Sequence, residues 1–155
     1  MSGAWERTHR RYDLVHTVLD EVAKSGWPVV PVALREEIDE VFGDFGTFLR
    51  DVQRRWYQTF DARLDDLLEN PPDDLGGAVR DLWQDLDRDQ VAARVLLDGH
   101  AAHPALVAGD AGHRRSLLTA TGVDQTDLRT PAVPSRGIKP ARWWRRGVAL
   151  SRSTA

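Results

Sequence analysis

The sequence predicts an all-α protein, a bundle of about five helices around a long central helix, with a basic and partly disordered C-terminal tail. Three observations carry that expectation. Between Leu34 and Leu68 the apolar residues recur in unbroken steps of three and four: Leu34, Ile38, Val41/Phe42, Phe45, Phe48/Leu49, Val52, Trp56/Tyr57, Phe60, Leu64 and Leu67/Leu68. Residues at those offsets stack on one face of an α-helix, and the paired positions widen the stripe into a face covered by several neighbours. Strand patterning is confined to one short run, Val29–Val32. Charge is segregated: residues 1–122 carry 22 acids and 14 Lys/Arg, whereas residues 123–155 carry 2 acids and 7 Lys/Arg.

The first helix is expected over residues 4–24, with Trp5, Tyr12, Val15, Leu19 and Val22 on its apolar face and Leu14 and Val18 at the edge. Lys24-Ser25-Gly26 supplies a cation for the last turn and a glycine stop. Trp27-Pro28-Val29-Val30-Pro31 must then run extended, because proline removes backbone donors and restricts the residue before it. Within the Leu34–Leu68 stripe, Gly43 and Gly46 together cost roughly 2 kcal/mol relative to alanine in a helix interior. A break or kink is expected there, with Asp44 capping the second part.

Asn70-Pro71-Pro72-Asp73-Asp74 ends that stretch and starts a helix through Leu75, Val79, Leu82/Trp83 and Leu86. Asp87 or Asp89 can cap the next helix, through Val91, Val95 and Leu96 to Gly99. A turn over Asp98–His103 leads to Pro104, tolerated at a first helical position, and to a helix whose inward residues are expected to be Leu106, Val107, Leu117 and Leu118. Gly122 is its stop. The bundle domain is accordingly placed at residues 1–122, and residues 123–155 are read as a proline-containing linker and a basic Trp/Arg tail.

Composition narrows function by exclusion. Cysteine is absent, so thiolate chemistry and disulfides are unavailable. The amino terminus carries Glu6, Arg7, Arg10, Arg11 and Asp13 without an apolar run, and no uncharged apolar run approaches the ~20 residues of a spanning helix. A cytoplasmic location is the expectation. Phosphate-binding glycine loops, the Gly-x-Ser-x-Gly elbow, Glu-x-x-His and His-Glu-x-x-His are all missing.

Three constellations remain. His9, Asp13 and His16 share one helical face, and His100, His103 and His113 gather around a turn. These are ligand types suited to zinc, iron or manganese, but the spacing matches no established metal motif, and surface or structural histidines are favoured. Phe42, Phe45, Trp56 and Phe60 could line an apolar ligand pocket, although core packing uses the same residues. In the tail, Arg142, Trp143, Trp144, Arg145 and Arg146 combine amphipathic rings with positive charge. Such a segment suits an acidic protein surface, an anionic membrane or the acidic body of this same chain. Nucleic-acid binding by the body is not expected, since its net negative charge repels phosphates. The leading expectation is a non-enzymatic protein-interaction or regulatory module, with a protein partner or self-association and no cofactor. The alternatives are a metal-binding His/Asp bundle and a sensor of small apolar ligands.

Overall fold

The computed structural model describes residues 2–129. Every regular element among them is a helix: α1 (Ser2–Ser25), α2 (Val32–Phe42), α3 (Phe45–Glu69), α4 (Leu75–Asp89), α5 (Val91–Gly99), α6 (Pro104–Thr121) and α7 (Gln125–Arg129). The all-α bundle is as expected. No helix among the described residues is long and apolar enough to cross a membrane.

The Leu34–Leu68 stretch is two helices rather than one rod. Gly43 takes φ 92°, a left-handed conformation that a side chain disfavours, and its N–H closes α2 on the carbonyl of Asp39. Asp44 follows in extended geometry and its carboxylate accepts from the Thr47 N–H at 2.6 Å, capping α3. Asp74 caps α4 through the Gly77 N–H, and the Nδ1 of His103 accepts from the Ala105 N–H at the start of α6.

α3 packs against α2, α4, α5 and α6, while α1 lies on α2 and α5. The core is filled chiefly by rings. Trp56 meets Trp83 edge-on at 4.5 Å and stacks on Phe60 at 6.0 Å, with Phe60 against Trp83 at 5.3 Å. Phe42, Phe45 and Phe48 form a second group at 5.4 and 5.8 Å. Truncating one such enclosed ring costs about 3–5 kcal/mol, a large part of a typical domain's stability.

Three expectations on packing change. α1 buries Leu14, Val15, Val18 and Val22, leaving Trp5 67% and Tyr12 47% exposed. α6 buries Leu106 and Leu117, whereas Val107 and Leu118 are 53% and 47% exposed. The residues between Leu106 and Leu117 on that inward face are Asp110 and His113, polar positions whose partners lie on α3. Finally, the packed body does not stop at Gly122. α7 docks on α6 and α4 and buries Gln125 and Leu128, three residues apart on one face, so the first part of the expected linker belongs to the bundle. In the α1–α2 connector, Val30 enters the core while Trp27 and Val29 face solvent, as does Val32 at the start of α2.

Candidate functional site

Where α1 passes α3, the helices part to leave a groove of about 910 Å³, closed at one end by the start of α5. Its floor is Val15 and Leu19 from α1, Val52 from α3, and Ala92 and Ala93 from α5, with exposed Ala62 of α3 at its edge. Alanine at these three positions leaves the hollow open, because a larger side chain would occupy it. The rim is charged: His16 and Asp20 on one side, Arg55, Arg63 and Asp66 on the other, Asp89 at the end. Arg55 is held by Asp51 at 2.8 Å and Arg63 by Asp89 at 3.0 Å.

The groove continues into an exposed ring stripe on α1. Trp5, His9, Tyr12 and His16 follow one another at helical spacing; Trp5 stacks on His9 at 4.9 Å and Tyr12 meets His16 at 4.2 Å. The Arg55 guanidinium stands 5.5 Å from the Tyr12 ring, tying the stripe to α3.

Across α3 from the groove lies a polar seam with α6 and α7. The Tyr57 hydroxyl donates to Asp110 Oδ1 at 2.5 Å and accepts from Gln125 Nε2 at 2.9 Å. Gln53 Nε2 donates to both the Leu106 carbonyl and Asp110 Oδ1, each at 2.9 Å. The His113 ring stacks on Tyr57 at 3.8 Å, with Nδ1 2.6 Å from Gln125 Oε1 and Nε2 2.9 Å from Asp61 Oδ1. Arg129 Nη2 reaches both Tyr57 and Asp110 at 3.3 Å. Burial, reinforced by the bond to Asp110, pushes the Tyr57 hydroxyl far above its ordinary value. It therefore stays protonated, donating to Asp110 while accepting from Gln125. A smaller hollow of about 280 Å³ beside Asp110 is bordered by Arg114, Gln125, Thr126 and Arg129. There Arg114 grips Asp124 at 2.7 Å and, ahead of the Thr126 N–H, draws its carboxyl down to about 2. The polar groups of the seam are engaged with one another, which makes it a lock that holds α7 to α3 and α6.

A third polar cluster sits at the α4–α5 end. Arg94 is buried, lies 4.8 Å over the Trp56 ring and pairs with Asp98 at 2.7 Å. Burial pushes the neighbouring Asp87 carboxyl up to about 6, against the opposing pull of Arg94.

The sequence candidates separate on this geometry. His9 and His16 belong to the exposed ring stripe, and Asp13 is exposed on the same helix. His100 bonds through Nδ1 to the Leu96 carbonyl and stands against Phe45 at 5.2 Å, His103 is a helix cap, and His113 belongs to the seam. Each histidine has a local task, and no three His, Asp or Glu side chains among the described residues are grouped to hold one metal ion. Phe42 and Phe45 are buried in one ring group, Trp56 and Phe60 in the other, and none of the four borders the groove. Arg142, Trp143, Trp144, Arg145 and Arg146 lie outside the described residues.

The sequence reading missed both the groove and the seam. A signal for the seam was present: Gln53, Tyr57 and Asp61 recur every four residues on α3, and Asp110 and His113 sit between Leu106 and Leu117 on α6. For the groove the signal was weaker, a run of alanines where neighbouring turns carry larger residues. The chain matches no protein-family model, and no curated protein or solved structure is significantly similar to it.

Proposed function

We propose that the chain is a helical protein-interaction module whose docking surface is the groove between α1 and α3. The observation that carries this reading is the groove itself, an apolar floor of about 910 Å³ within a charged rim, continuous with exposed Trp5 and Tyr12. Large amphipathic rings beside an apolar cleft are typical of anchor sites in protein interfaces. The partner that suits it presents one or two large apolar side chains with flanking positive charge, the complement of a floor edged by Asp20 and Asp66. The polar seam has the character of a fastening, which leaves the groove as the better candidate for recognition. We further propose that the module acts in the cytoplasm, as suits a chain without cysteine.

The test uses the full chain with Ala62→Arg, a change at an exposed groove position. Partner recovery in an affinity pull-down should be lost while the melting temperature holds. Undiminished recovery by a folded variant rejects the groove.

A second reading, a sensor of small apolar ligands, draws support from the groove's volume, which lies in the range of small-molecule sites. It requires the groove floor rather than the four core rings. A thermal-shift screen of apolar acids that raises the melting temperature of wild type but not of Ala62→Arg would favour it.

A further inference from the structure

We infer that the groove between α1 and α3 seats the chain's own basic segment Arg142-Trp143-Trp144-Arg145-Arg146, which covers the docking surface until a partner displaces it. The inference rests on reading that groove as a docking surface, and it adds how the surface is regulated.

Charge is the first argument. Residues 1–129 hold all 24 acids and 15 Lys/Arg, a net charge of −9, whereas residues 130–155 hold six Lys/Arg and no acid. Attraction between the two parts is therefore built into the chain and acts beyond contact distance. The groove focuses it. Asp20 and Asp66 are exposed on opposite walls and make no ion pair among the described residues, while both rim arginines are committed to Asp51 and Asp89. Exposed carboxylates on both walls of an apolar floor are the complement of paired indoles flanked by guanidinium groups.

Reach is the second. Arg129, the last described residue, is fastened to Tyr57 and Asp110 on the far side of α3 from the groove. Arg142 lies 13 residues further on, a span of up to ~45 Å when extended. A body of this size has a radius of gyration of about 14 Å, so a path over its surface is within range. A tether of that length holds the segment at an effective concentration of the order of millimolar, so a weak contact suffices to occupy the groove.

A photo-crosslinking residue at Gln58, an exposed groove position, tests the inference in the full chain. On irradiation of the purified protein, peptide mapping should show an adduct between position 58 and residues 139–150. Its yield should not depend on protein concentration, and should fall roughly tenfold in a Trp143→Ser/Trp144→Ser variant, as expected when two aromatic anchors are lost. The same label at Ser116, exposed on α6, should give no such adduct. Absence of the adduct, equal yield from Ser116, or a yield that rises with protein concentration overturns the inference. Crosslinks from position 58 only to other proteins in a cell extract overturn self-occupancy and leave the docking surface standing; no crosslink of either kind removes both.

Discussion

Tyr57 and Asp110 are joined across 2.5 Å between α3 and α6, and the same carboxylate oxygen also accepts from Gln53 and Arg129. One acidic oxygen thus fastens α3 and α6 together and ties in the end of α7. The Tyr57 hydroxyl in turn accepts from Gln125 of α7, so its removal strands a buried donor as well as weakening the carboxylate. Tyr57→Phe should cost about 1–3 kcal/mol in urea unfolding, the range for leaving a buried polar group unpaired. Hydrogen exchange should speed up first in α7. Unchanged α7 protection would show that the lock does not hold that helix.

Gly109→Ala separates two opposing effects of similar size. Alanine gains about 1 kcal/mol of helix propensity in α6. However, its Cβ would stand 2.2 Å from Gln53 Oε1, displacing a side chain whose amide makes two hydrogen bonds. Loss of those bonds costs about 1–3 kcal/mol, so the variant should be less stable than wild type. In a Gln53→Ala background the obstacle is gone and the same change should become stabilising. A destabilising Gly109→Ala in both backgrounds would contradict the geometry.

Asp87 gives stability a pH dependence of definite sign. Its carboxyl titrates near 6 in the fold and near the ordinary 3.8 when unfolded, so between those values the folded state binds more protons. Its contribution is fully present below about 4 and is lost as pH rises through about 6. Asp87→Asn should therefore melt at the same temperature as wild type near pH 4 and at a higher one at pH 7. Asp124 and Asp51, both lowered by arginine partners against the cost of burial at Asp51, oppose this slope, because their contribution is lost as pH falls. The informative quantity is the difference between wild type and variant. An Asp87→Asn protein that is less stable at pH 7 would count against a buried, reluctantly ionised carboxylate.

The histidines predict a negative result. Because His100 bonds its own helix, His103 caps α6 and His113 bridges to Gln125 and Asp61, tag-free protein should carry substoichiometric metal. Addition of zinc, manganese or iron should leave the melting temperature in place. A stoichiometric metal, or a rise of several degrees, would restore the metal-binding alternative.

The break between α2 and α3 has a measurable cap. Asp44→Ala should cost about 1 kcal/mol, since it removes the acceptor for the Thr47 N–H at an exposed position where little else changes. Urea denaturation reads it directly.

Periodicity sufficed for the helical class, for the apolar face of α3 and for the break at Gly43, because these depend on neighbours within one or two turns of the same helix. Asp44 and Pro104 were legible as starts, and Gly122 as a stop, for the same local reason. Trp5, Tyr12, Val107 and Leu118 were not: an apolar residue at helical spacing marks a face, but whether another helix covers that face depends on chain far away. The α6 face defeated the pattern most clearly, because Asp110 and His113 enter the interior only where Tyr57, Gln53 and Asp61 wait to bond them. Likewise a few alanines become a groove only when α1, α3 and α5 stand around them. By itself, then, the sequence determined where the helices up to Gly122 form and stop, since hydrogen bonds and caps close over a few residues, whereas α7, in the stretch read as a linker, was not legible. Which polar groups are buried together and which apolar surface stays open were decided by tertiary structure alone, because each is a relation between side chains brought together by packing.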